Sequence, residues 1–150
     1  FENDDLVLNG INVQEEITMP EISAIVSNYA SIPEVRSKLV QLQRNIAEKY
    51  NVIMDGRDIG TCVLPDAQVK IYLTASSATR AKRRYDELTE KGVSCDLAEI
   101  EKDIIDRDYR DMHRETSPLR QAEDAVLVDS SEMNIDEVVD AIYQVYSEAR

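Results

Sequence analysis

The chain has 150 residues, 43% apolar and 31% charged, with a net charge of −13 at pH 7. That length suits one domain with a real core, the apolar share excludes a disordered chain, and the acidic balance argues against a nucleic-acid-binding surface. No apolar run approaches the roughly 18 residues that span a bilayer, and Phe1-Glu2-Asn3-Asp4-Asp5 has neither the basic nor the apolar region of a signal peptide.

Residues 6–18 hold two short β-prone stretches around Asn9-Gly10, a strong hairpin signal. Pro20 then opens a helix reaching about Asn28, with Thr18 or Met19 near its cap. Ser31-Ile32-Pro33-Glu34 predicts the next helix, with Ser31 as N-cap and Glu34 completing a capping box. Its apolar stripe is Val35, Leu39, Leu42 and Ile46, and it runs to about Tyr50. Asn51-Val52-Ile53-Met54 reads as a buried strand ahead of the turn Asp55-Gly56-Arg57-Asp58-Ile59-Gly60. A second strand covers 69–74, and a helix runs from Ser77 to about Lys91, where Gly92 ends it. Asp96 caps a charged helix reaching about His113. A third strand covers 125–129, and Asn134 caps a last helix with Val138, Val139, Ile142 and Val145 inward. Strands alternating with helices from residue 33 onward predict an α/β fold with a parallel sheet. Ligands in such folds bind beyond the carboxyl ends of the strands, where Asp55 and Thr74 fall.

Three groups of residues carry possible chemistry. In the turn after residue 54, Arg57 has the planar donor fork that clamps a phosphate. Asp55 or Asp58 can orient that arginine or accept from a base amine; the plain alternative is a turn with a salt bridge. On the charged helix, Arg107, Asp111 and Arg114 are spaced i, i+4, i+7 and share a face, with Arg110 close by. They suit an oxyanion and a sugar hydroxyl, although an exposed helix held by i,i+4 ion pairs is the simpler reading of this helix alone. Arg80, Lys82, Arg83 and Arg84 form the third group, in which a solvated helix face is the simpler reading. Ten of the 17 Lys and Arg residues lie between Arg80 and Arg120, so the local field there can attract a small anion. His113 is the only histidine, and phosphoryl transfer needs none as a base. Cys62 and Cys95 fit neither a metal pattern nor a disulfide framework and read as free thiols of a reducing, cytoplasmic protein.

Taken in order, these motifs resemble the bacterial cytidylate kinases. The resemblance rests on Asp55-Gly56-Arg57-Asp58-Ile59-Gly60-Thr61 with Leu64-Pro65-Asp66-Ala67, and on Arg80…Arg83-Arg84-Tyr85…Lys91-Gly92. Arg107-Asp108-Tyr109-Arg110-Asp111…Arg114…Pro118-Leu119, Ala122-Glu123-Asp124-Ala125 and Asp129-Ser130 continue it. Leu8-Asn9-Gly10 and Pro33-Glu34-Val35-Arg36 extend it upstream, so it covers essentially the whole chain. It implies an incomplete three-layer P-loop nucleoside-monophosphate-kinase fold with a small antiparallel and helical insert. Residues 1–32 would belong to that insert and 33–150 to the core, with a lid at about 80–115. It implies ATP-dependent phosphorylation of CMP and dCMP, with Mg²⁺. Ser27, Arg36 and Asp58 match the residues that read cytosine, and Arg107 and Asp111 those near the sugar. Arg57 and Arg114 match the phosphate holders, and Arg83 and Arg84 are candidates for the ATP phosphates. Arg57, Arg107 and Arg114 would carry the catalytic charge, and Asp55 would help bind substrate.

The departure is that G-x-x-x-x-G-K-[ST] does not occur among these 150 residues. That loop cradles the ATP phosphates and places Mg²⁺ in the family. The expectation is a C-terminal part of the enzyme, inactive alone, with no metal site of its own. A missing central strand would expose a sheet edge and favour self-association. The other readings are a kinase for another monophosphate, a non-catalytic nucleotide-binding module, and a structural interaction domain.

Overall fold

The computed structural model describes residues 6–30 and 32–149. Its contacts divide the chain into two units, 1–49 and 50–150.

In the first unit, β1 (Val7–Leu8) and β2 (Ile11–Asn12) pair antiparallel, Leu8 opposite Ile11. Asn9 and Gly10 make the two-residue turn at φ 52° and 80°. Both values are left-handed, as a type I′ turn requires, and Gly and Asn reach that region most readily. A 3₁₀ turn, Glu16–Thr18, leads to α1 (Pro20–Ala30). Helix α2 (Pro33–Ala47) starts with Pro33 in its first turn and Ile32 as its N-cap, which makes no side-chain cap bond. The expected cap Ser31 lies outside the described residues. The stripe Val35, Leu39, Leu42 and Ile46 is 38–55% exposed, not buried as its periodicity suggests.

In the second unit, β3 (Ile71–Thr74) and β4 (Val126–Asp129) pair in parallel, Ile71 opposite Val126 and Thr74 opposite Asp129. Two helices connect them, α3 (Ser77–Glu90) and α4 (Leu97–His113), and α5 (Ile135–Glu148) follows β4. Parallel strands need such a crossover, and helices supply it. Caps fix the helix starts. Ser76 accepts from the Thr79 amide, Asp96 accepts from the Glu99 amide at 2.9 Å, and Asn134 and Glu137 form a reciprocal capping box. Gly92, at φ 72°, ends the turn after α3, its amide donating to the Thr89 carbonyl.

Beyond β4 the chain is tied back tightly. The Ser130 amide donates to the Thr74 carbonyl at 2.8 Å, and the Ser131 amide and hydroxyl both donate to Asp129 Oδ1. The Ser131 hydroxyl, then its amide, hold the Asp129 carboxyl below its ordinary range. At the other end of the ladder, Lys70 Nζ lies 2.6 Å from Asp124 and lowers that carboxyl.

Residues 51–54 do not form the expected buried strand. They carry no regular secondary structure, and Ile53 is fully exposed at 104%. A strand exists only through its neighbours, since a lone segment leaves its amides to water. The core of this unit is accordingly small: Val63, Ala75, Ala81 and Val128 are the buried apolar residues described. Leu73, Leu127, Ile135 and Val139 lie open, Val139 in place of the inward position its spacing predicts.

Such faces associate when nothing covers them. The 150-residue chain is therefore expected to show a concentration-dependent mass in sedimentation, reduced by Leu127→Lys. A strict monomer across the micromolar range would contradict this.

Candidate oxyanion site

The site gathers around one buried carboxylate. Asp111 sits in the last turn of α4 and is 4% exposed. Arg57 Nε lies 3.2 Å from Asp111 Oδ2, and Arg107 Nε lies 3.9 Å from the same oxygen. Arg114 Nη1 lies 4.0 Å from Asp111 Oδ1. The helix supplies Arg107, Asp111 and Arg114 by its own repeat, as their spacing predicts. Arg57 comes from the turn after residue 54, a contact that no local pattern announces.

Backbone bonds hold this arrangement. The Asp111 carbonyl accepts from the Leu119 amide at 2.8 Å, folding the segment after α4 back along the helix. Arg114 Nε donates to the Ser117 carbonyl at 2.6 Å, with Ser117 in the left-handed region at φ 50°. On the other side, Asp58 is 4% exposed at the start of a single π turn, Ile59–Val63. Its carbonyl accepts from the amides of Cys62 and Val63 at 2.9 and 3.2 Å. This wide turn is uncommon and concentrates at functional sites.

The electrostatics follow from the count. Two guanidinium groups about 4 Å apart repel by roughly 4 kcal/mol at the effective dielectric of a protein surface. Three of them stay together because a carboxylate sits among them. The group keeps two surplus positive charges inside a chain whose net charge is −13. Arg57 and Arg107 have side chains 37% and 40% exposed, so water screens their share, whereas Arg114 is 18% exposed. An open, doubly positive surface of planar donors is suited to a phosphate dianion.

Asp55 is exposed and outside this cluster. Arg36 is half-buried on α2 in the first unit, and the side chain of Ser27 lies outside what is described. Arg83 donates to the carbonyls of Ser130 and Met133 at 2.7 and 3.2 Å, and Arg84 pairs with Glu87 at 2.7 Å. The sequence reading missed the pairing of Arg80 with Asp108, which joins α3 to α4. Among the described residues no group of three or more His, Cys, Asp or Glu could hold a metal ion. The Asp111 carboxylate is committed to arginines, so no step is assigned to Mg²⁺ here.

The cytidylate kinase family model matches residues 1–148. The chain is 58% identical over 142 residues to the cytidylate kinase of Clostridium perfringens (strain SM101), covering 95% of this chain and 65% of that protein. It is 56% identical over 147 residues to the cytidylate kinase of Clostridium acetobutylicum, covering 98% and 68%. With the cytidylate kinase of Clostridium botulinum (strain Okra) the identity is 49% over 145 residues, covering 97% and 67%. The chain belongs to the cytidylate kinase family, and it spans about two thirds of the length of these relatives. In this family the fold is that of nucleoside-monophosphate kinases, and the parallel pair with its covering helices is compatible with it. No described helix is long and apolar enough to cross a membrane.

Removing the central carboxylate leaves three cations unbalanced. Asp111→Ala is expected to cost about 3–5 kcal/mol in urea unfolding, the usual penalty for breaking a buried pair. Arg57→Gln should cost about 1 kcal/mol or less, because Arg57 is partly exposed. An Asp111→Ala protein as stable as wild type would contradict the organising role of this carboxylate.

Proposed function

We propose that this chain is the monophosphate-binding part of a kinase that transfers the terminal phosphoryl group of ATP to CMP and dCMP. The observation that supports it is the Asp111-centred group of Arg57, Arg107 and Arg114. Phosphoryl transfer asks a protein chiefly for positioning and for charge on the phosphate oxygens. In this reading Arg57 and Arg114 hold the monophosphate. Arg107 stands at the sugar side and adds positive charge as the oxygens become more negative. Asp111 sets the arginines in place. Asp111 Oδ2 makes no hydrogen bond as the cluster stands, which leaves it an acceptor for a sugar hydroxyl.

Ser27, Arg36 and Asp58 read the base. Cytosine presents an amine donor beside ring-nitrogen and carbonyl acceptors, which a carboxylate or hydroxyl and an arginine complement. Uracil places a carbonyl where the amine was and leaves a buried acceptor unpaired. That mismatch costs roughly 1–3 kcal/mol, about a five- to 150-fold preference.

Residues 1–32 then belong to the monophosphate-binding insert and 33–150 to the core. The segment at about 80–115 includes a lid, whose closure would exclude water from the phosphoryl group. Arg83 and Arg84 are its candidates for the ATP phosphates; both would have to leave their present partners, the carbonyls after β4 and Glu87. Asp55 helps to bind the substrate. The setting proposed is the cytoplasm, with CMP, dCMP and ATP as the partners.

Calorimetric titration with CMP, UMP and AMP tests this reading. CMP should bind, with UMP and AMP weaker by the factor above. A folded chain that binds all three equally, or none, would overturn the assignment for these residues. The same 150 residues should show no turnover in a coupled ATP assay, since they hold no G-x-x-x-x-G-K-[ST] loop. Ordinary kinase rates from this chain would refute that.

A further inference from the structure

Helices α3 and α4 meet through two polar contacts that lie on one face of each helix. Ser77 Oγ donates to Glu101 at 3.0 Å. Arg80 grips Asp108 with both terminal nitrogens, Nη1 to Oδ1 at 3.1 Å and Nη2 to Oδ2 at 2.6 Å. Ser77 and Arg80 are three residues apart, and Glu101 and Asp108 seven, so each pair stacks along its helix. Arg80 has a third tie. Its Nε donates to the carbonyl of Ala75 at 3.0 Å, just past the end of β3. Ala75 is buried and Ala81 is fully buried, so the base of this contact is fixed in the core.

The two-point grip sets the rotation of α4 about its own axis. At about 100° per residue, Arg107, Asp111 and Arg114 cluster roughly a quarter-turn from Asp108. A helix that is free to roll moves all three together, away from Arg57, which is carried by a separate loop. We propose that Arg80 and Asp108 are positioning residues: their bidentate pair locks the roll of α4, so that the arginine cluster meets Arg57 and forms the phosphate site. This rests on the monophosphate-kinase reading above. Arg80 acts through Asp108 and touches no substrate in this account. Lysine cannot replace it, because a single ammonium has no fork to engage both carboxylate oxygens and the Ala75 carbonyl together.

The test uses the full-length kinase and compares CMP with cytidine, which lacks the phosphate. Asp108→Asn, Arg80→Lys and the double variant are measured alongside Lys82→Gln, which breaks only the exposed Lys82–Asp86 pair on α3. Asp108→Asn and Arg80→Lys should each weaken CMP about tenfold or more, the scale expected for a small misplacement of binding groups. Cytidine affinity should hold, and the double variant should be no worse than either single one. Lys82→Gln should change neither ligand. Unchanged CMP affinity in a folded Asp108→Asn protein would overturn the proposal. So would an equal loss for CMP and cytidine, which would mark a general packing role. Wild-type protein that fails to prefer CMP over cytidine would instead sink the kinase reading beneath it.

Discussion

Three arginines held around one buried carboxylate are the arrangement on which the rest of this unit depends. Like charges do not gather without compensation, and Asp111 is the compensation. Its burial is possible because its carboxylate has cations on both oxygens and its backbone carbonyl accepts from Leu119. The same economy leaves the cluster doubly positive, which a neutral ion-pair network would not be. A surplus charge kept at an open surface is a binding device more than a stabilising one, because exposed pairs add little to stability.

The scaffold serves that arrangement from two sides. The turn after residue 54 brings Arg57 in, and the π turn beside it anchors Asp58 through two amides. On the other side, α4 is registered against α3 and the end of β3 by Arg80, and the loop after β4 is tied to α3 by Arg83. Specific polar contacts therefore fix element positions where apolar burial is slight. The buried apolar set described is four residues, while Leu73, Leu127 and Ile135 remain open. Open faces of this kind fit a chain that spans about two thirds of the length of its relatives.

Much of this was legible in the sequence, and the boundary follows a physical line. Most local signals worked, although the helix expected to be capped by Ser31 has Ile32 as its N-cap with no side-chain bond. Asn9-Gly10 made its hairpin, Asp96 and Asn134 capped their helices, and Arg107, Asp111 and Arg114 fell on one face as their spacing required. Each depends on residues within a turn or two of one another. Signals needing a distant partner failed or were silent. Val52 to Met54 have strand composition, yet a strand also needs a neighbour, which no local pattern supplies. The stripe on α2 has helical period, but period marks a face without saying what buries it. Arg57 reaching Asp111 spans more than fifty residues, and Arg80 finding Asp108 spans 28. The basic run at 80–84 shows the same limit: composition marked it for phosphates, while the structure places Arg83 on backbone carbonyls and Arg84 on Glu87.

A crystal structure of the protein with CMP bears most directly on the account. The prediction is a monophosphate whose oxygens lie within about 3 Å of guanidinium nitrogens of Arg57 and Arg114, with Asp111 still seated among the arginines. A phosphate bound elsewhere, or an Asp111 displaced and unpaired beside an empty cluster, would contradict it.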